Sequence, residues 1–76
     1  MTITGEQCKA ARKLLKWSKL QLGHKAGVSD ATIESFEVSR YPLRPKNVRA
    51  IRHSLEAAGI EFCDKGHGVR MREGKR

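Results

Sequence analysis

The chain has 76 residues, enough for one small domain, and 38% of them are hydrophobic while 32% are charged. Sixteen Lys and Arg against eight Asp and Glu give a net charge of +8, and such a basic balance favours a polyanionic partner. The sequence has no apolar run near the ~20 residues that a membrane span needs. Its two isolated cysteines argue against a disulfide scaffold. We therefore expect a soluble cytoplasmic protein without a membrane partner.

The first third of the chain is predicted to form two short helices. Thr4 can act as an N-cap, and Gln7 three residues later completes the pattern of a capping box. The first helix should end near Lys16, because Ser18 can cap the start of the second helix. The second helix should end at Gly27, since the residue after a helix commonly takes a positive φ.

A third helix is predicted over residues 30–38, with Ser29 as its N-cap. Ile33 and Phe36 stand at i and i+3, so both are expected to face the core. The bend at Gly27 lets the second helix brace the third and leaves the outer face of the third free. A helix held in this way fits the major groove of B-DNA, which is about 12 Å wide.

The second half of the chain predicts a fourth helix and a β-hairpin. Pro45 suits a first helical turn, and Gly59 ends the helix. Its inward stripe is Val48, Ile51, Leu55 and Ala58. Residues 60–62 and 69–72 alternate apolar and polar side chains around a turn-rich connector. A lone two-stranded ribbon is marginal in water, so these strands should pack on the helices or pair with a second copy.

The segment from the second to the third helix resembles the helix-turn-helix of the lambda repressor/Cro family, the XRE-type transcriptional regulators. The resemblance covers roughly residues 4–60. It is carried by Trp17, Ser18, Leu22, Ala26, Gly27, Val28, Ser29, Ala31, Thr32, Ile33, Phe36 and Glu37, with Arg44 and Pro45 before the closing helix. Gly23 stands where the family usually has Ala, and no sequence feature explains this mid-helix glycine.

The resemblance implies a mainly α fold, a four-helix lambda-repressor-like DNA-binding domain with a short C-terminal β-hairpin. We expect the DNA-binding domain over residues 1–60, with the helix-turn-helix at about 18–38. The hairpin at 60–72 is expected to form the interface of a homodimer, and residues 73–76 a disordered end.

On the family template, four positions of the third helix face the bases: Asp30, Ala31, Thr32 and Ser35. Ala31 would touch a thymine methyl, while Thr32 or Ser35 would hydrogen-bond a base edge or a phosphate. Asp30 has two alternatives, to accept a hydrogen bond from a cytosine amino group or simply to stabilise the helix start. Glu34 is expected to face solvent.

Five residues are assigned to phosphates: Lys19, Ser29, Arg40, Tyr41 and Arg44. Lys19 replaces the usual Gln and supplies a charge. Ser29 is first an N-cap, whose helix start would also address a phosphate. Tyr41 would either join Arg40 and Arg44 in clamping the backbone or pack against the domain.

Arg12 and Glu37 form a predicted structural pair, because in the family an Arg of the first helix often meets the Glu that closes the third. If this pair is partly buried, it ties the DNA-reading helix to the rest of the domain.

Other chemistry is sparse. His24, His53 and His67 are scattered, and Cys63 with His67 offers only two ligands for a metal ion. No Ser/His/Asp triad, glycine-rich phosphate loop or carboxylate pair stands out. We therefore expect no metal, no cofactor and no enzymatic activity.

The leading functional hypothesis is a sequence-specific double-stranded DNA-binding regulator of bacterial or phage origin, associated with the nucleoid. The simplest version is a repressor that binds a near-palindromic operator as a homodimer. The alternative is a protein-interaction module on the same fold, an antitoxin or antiactivator. In that case Leu20 and the hairpin would form the contact surface with the protein partner.

Overall fold

The computed structural model describes residues 3–38, 43–63 and 68–71. The described residues form the predicted mainly α fold, four helices followed by one antiparallel hairpin. The elements are α1 (Gly5–Leu15), α2 (Lys19–Ala26), α3 (Asp30–Val38), α4 (Pro45–Ala57), β1 (Ile60–Phe62) and β2 (Val69–Met71).

Capping boxes set the starts of the first two helices. In the box of α1, the Gln7 backbone N–H donates to Thr4 Oγ1 at 3.1 Å, and the Thr4 N–H donates to Gln7 Oε1 at 2.9 Å. Ser18 and Gln21 repeat the arrangement at the start of α2, with distances of 3.1 and 2.9 Å. Each box satisfies two backbone donors that a helix start leaves free. The capping role of Thr4 is confirmed, and the box of α2 was not predicted.

The bend between α2 and α3 forms at a residue in the left-handed conformation. Gly27 has a φ of 76°, which glycine adopts without the steric cost of a Cβ. The N–H groups of Gly27 and Val28 both donate to the carbonyl of Gly23, at 2.8 and 2.9 Å. Ser29 Oγ then accepts from the Thr32 N–H at 3.1 Å and begins α3. These local bonds set the angle at which α3 leaves the turn.

The core lies where α2 packs against both α3 and α4, and where α1 packs against α3 and α4. Its buried hydrophobic residues are Ile3, Cys8, Ala11, Leu22, Ile33, Val48, Ile51, Leu55 and Ile60. Ile3 was not predicted to be buried. Phe36 packs against this core as predicted, although its side chain is half-buried rather than fully buried.

The hairpin pairs Ile60 with Met71, Glu61 with Arg70 and Phe62 with Val69. Strand β1 packs on α4 and β2 packs on α1. Ile60 is completely buried within its own chain, which removes it from the predicted contact between two subunits. Met71 is 43% exposed. The expected disordered end at 73–76 lies outside the described residues. Among the described helices, none is both long and apolar enough to cross a membrane.

Candidate nucleic-acid interface

The outer face of α3 is open to solvent. This outer face consists of Asp30, Ala31, Thr32 and Ser35. Three of these side chains are exposed and that of Thr32 is half-buried. Ile33 points the other way and is completely buried in the core. The residues predicted to contact bases therefore share an accessible side of one helix.

Two hydroxyl groups at the start of α3 contact each other. Ser29 Oγ and Thr32 Oγ1 are 2.9 Å apart, and Ser29 Oγ also accepts from the Thr32 backbone N–H. The N-cap role of Ser29 is thus observed. Either hydroxyl can be the donor in this contact, and Thr32 Oγ1 keeps at least one free lone pair in both arrangements.

Cationic side chains stand at the starts of two helices. Lys19 opens α2, and its Nζ lies 3.5 Å from Glu34 Oε1 on α3. Arg44 is the N-cap residue of α4; its side chain makes no capping bond and is exposed. Lys46 and Arg49 are exposed on α4. The predicted phosphate contacts Arg40 and Tyr41 lie outside the described residues.

Arg52, a cation farther along α4, forms an ion pair within its own helix. Its Nε donates to Glu56 Oε2 at 3.0 Å, one helical turn away. Such i,i+4 pairs stabilise helices by about 0.3–0.5 kcal/mol. The local charge of Arg52 is therefore partly offset, in contrast to the outward-facing cations nearer the start of α4.

A buried ion pair joins α1 to the end of α3. Arg12 Nε and Nη2 each donate to one carboxylate oxygen of Glu37, both at 2.8 Å. Arg12 Nη1 also donates to the carbonyl of Trp17 at 3.0 Å. The side chains are 10% and 1% exposed. This geometry is the predicted structural pair, and it links α1, the start of the helix-turn-helix and α3.

The thiol of Cys8 completes this buried cluster. Cys8 Sγ donates to Glu37 Oε2 at 3.4 Å. Burial, followed by the nearby Glu37 carboxylate, raises the pKa of the Cys8 thiol far above its ordinary value, so it stays protonated. The hydrogen bond to Glu37 raises the pKa of Arg12. Among the described residues, every buried side-chain nitrogen or oxygen has a hydrogen-bond partner.

An apolar side chain projects from the exposed side of α2. Leu20 is 55% exposed and, with Gln21, His24 and Lys25, lines an open hollow of about 260 Å³. Lys25 Nζ lies 5.4 Å from the centre of the Trp17 ring, which itself packs against the core. No group of three metal-ligating side chains occurs in the described ranges.

Sequence reasoning missed the contact between Lys19 and Glu34. The two residues are 15 positions apart and belong to different helices, so neither helical periodicity nor local charge spacing indicates it. Only the angle between α2 and α3 brings them together. Glu34 is exposed, as predicted, and it also sets the electrostatic surroundings of a predicted phosphate contact.

Comparison with known proteins relates this architecture to a DNA-bound repressor. No protein-family model matches the sequence, and no curated protein matches it. Among solved structures, the P22 c2 repressor in complex with the synthetic operator 9T is similar, with a TM-score of 0.65 and 32% sequence identity. The match covers 74% of this chain and 85% of the repressor chain. The resemblance seen in the sequence is thereby confirmed, and the chain belongs to the lambda repressor-like helix-turn-helix family of regulators.

Proposed function

We propose that this protein is a sequence-specific double-stranded DNA-binding regulator, most simply a repressor that occludes a promoter. The exposed outer face of α3, held by a helix-turn-helix, carries the proposal. The similar P22 c2 repressor is bound to an operator in its crystal structure, which supports the same partner here. The net charge of +8 favours a polyanion.

In this proposal α3 enters the major groove and its outer face reads the bases. Ala31 contacts a thymine methyl, and Ser35 and Thr32 donate or accept hydrogen bonds at base edges. Asp30 either accepts from a cytosine amino group or acts on the helix dipole alone. Glu37 and Arg12 contact no DNA; they hold α3 at its angle to the domain.

The phosphate backbone supplies most of the attraction. Lys19 and Arg44 provide charges at the starts of α2 and α4, and Ser29 presents a helix N-terminus. Arg40 and Tyr41 are assigned to the same role from the sequence. These contacts position the protein on any duplex and carry no sequence information of their own.

A homodimer would explain how so small a domain achieves specificity. Two-fold symmetry would place the two α3 helices ~34 Å apart, one turn of the duplex, on a near-palindromic operator. The exposed Met71 on β2 is available for a contact between subunits. The protein would act in the cytoplasm of a bacterium, or of a cell infected by a phage, at the nucleoid.

Two substitutions test the assigned roles. A duplex is selected from a random pool with the wild-type chain, and binding to it and to single-base variants is measured. Ser35→Ala should change which variant is preferred, whereas Arg44→Ala should weaken binding to all of them alike. Lys9→Ala, which removes an exposed cation of α1, is the charge-matched control for Arg44→Ala and should have a smaller effect. Uniform losses from both Ser35→Ala and Arg44→Ala would contradict the assignment.

A second candidate function is a protein-interaction module, an antitoxin or antiactivator. The exposed Leu20 beside the open hollow on α2 supports it, because apolar surface next to a concave site is a common contact for a protein partner. Measuring duplex binding distinguishes the two functions. A chain that binds no duplex at low salt, neither random nor selected, would leave the interaction module as the better description.

A further inference from the structure

An ion pair connects α2 and α3 of the helix-turn-helix, close to residues that the proposed function assigns to DNA contacts. Lys19 Nζ lies 3.5 Å from Glu34 Oε1, and the side chains are 37% and 59% exposed. Lys19 is a proposed phosphate contact. Glu34 precedes Ser35, a proposed base contact, on α3. One acidic side chain therefore lies beside both kinds of proposed contact.

A DNA phosphate and the Glu34 carboxylate would compete for the same ammonium group. In the free protein the carboxylate offsets the charge of Lys19. When a phosphate approaches Lys19, the carboxylate either moves away or remains close to a second negative charge. Both outcomes reduce the free energy gained from the phosphate contact, since like charges at short range repel.

We propose that Glu34 is an affinity-limiting residue, whose carboxylate occupies the phosphate-binding group of Lys19 until a duplex displaces it. The inference rests on the proposed DNA-binding function and concerns a negative charge, the Glu34 carboxylate, that weakens it. The effect is independent of base sequence, because the competition concerns a phosphate. Glu34 would thus keep binding to arbitrary DNA weak, so that base contacts from α3 decide where the protein stays.

The hairpin supplies a matched comparison. Arg70 Nη2 lies 2.9 Å from Glu61 Oε1, in another exposed ion pair that joins β1 to β2. Glu61→Gln raises the net charge by one unit, as Glu34→Gln does. The hairpin packs on α1 and α4, whereas Lys19 and Glu34 lie on α2 and α3, so Glu61→Gln removes neither member of that pair. A simple net-charge effect would act equally through both substitutions.

The experiment measures binding to a fluorescent random-sequence duplex of about 30 base pairs, by anisotropy at about 50 mM and 200 mM KCl. The proteins are the wild-type chain, Glu34→Gln, Lys19→Met, the double variant and Glu61→Gln. We expect Glu34→Gln to tighten binding about three- to fivefold per subunit at the lower salt. In the Lys19→Met background the same change should have less than about a twofold effect, and so should Glu61→Gln.

Equal tightening by Glu34→Gln with and without Lys19 would overturn the inference, as would equal tightening by Glu61→Gln or none from Glu34→Gln. These results leave DNA binding itself standing. Failure of the proposed function has a different signature, because the wild-type chain would then show no salt-dependent binding to the duplex. The two failures are therefore distinguishable in one set of titrations.

Discussion

At the scale of single residues, Gly23 shows how a side chain's absence shapes the molecule. A mid-helix glycine costs about 1 kcal/mol relative to Ala, and the sequence offers no compensation. In the structure, a Cβ at this position would lie 2.6 Å from the carbonyl oxygen of Val28 and 3.4 Å from the backbone nitrogen of Asp30. The missing side chain lets the turn and the start of α3 approach α2 closely.

Gly23→Ala should therefore destabilise the protein, although Ala is the better helix former. The Cβ meets backbone, which cannot rotate away, so we expect a loss of about 1–3 kcal/mol. Urea unfolding followed by circular dichroism measures it. His24→Ala, at the exposed neighbouring position, is the control and should change stability by less than about 0.5 kcal/mol. A stabilised Gly23→Ala variant would show that the close approach is not required.

The buried pair of Arg12 and Glu37 gives a second prediction. Glu37→Ala leaves a charged guanidinium that is almost excluded from water, at a cost of about 3–5 kcal/mol. That is a large part of the roughly 4–11 kcal/mol expected for a chain of this length. The midpoint of thermal unfolding should fall steeply. Glu34→Ala removes an exposed carboxylate from the same helix and should barely shift it. Similar shifts in both variants would contradict a structural role for the pair.

At the scale of helices and strands, local signals in the sequence were sufficient to predict where α1, α2 and α3 begin and where α2 ends. Thr4, Ser18 and Ser29 precede helices, and Gly27 ends one, because capping and positive φ depend on neighbours a few residues away. Contacts between distant segments were not predictable in this way. The Lys19–Glu34 pair, and the burial of Ile60 against the helices rather than a second subunit, depend on how elements pack.

The hairpin gives a testable prediction about the contact between subunits. If β2 forms the contact between subunits, Met71→Lys places a charge in that contact and should convert a dimer into a monomer. Helical content should remain, because Met71 lies outside the core. Light scattering measures the mass, with Leu14→Lys, an equally exposed apolar site on α1, as the control. A dimer that persists in Met71→Lys places the interface elsewhere. Truncation after Gly59 is a poorer test, because it also removes Ile60 from the core.

At the scale of the whole molecule, the charge is unevenly distributed. Residues 1–38 contain six Lys and Arg and four acids, a net +2, whereas residues 39–76 contain ten and four, a net +6. The exposed Arg44, Lys46 and Arg49 belong to the second group. If about five phosphates are neutralised per pair of subunits, log K should fall with log[salt] at a slope of about −4 to −5. A titration that stays flat between low and moderate salt would exclude a phosphate-dominated interface.

The central claim is that the outer face of α3 enters a duplex, and amide chemical-shift mapping tests it most directly. A ¹⁵N-labelled chain is titrated with its selected duplex. We predict that the largest shifts fall on the amides of residues 29–35, with further changes at the starts of α2 and α4. If the perturbed amides instead cluster on the hairpin and α1, while those of α3 stay unchanged, the account is wrong.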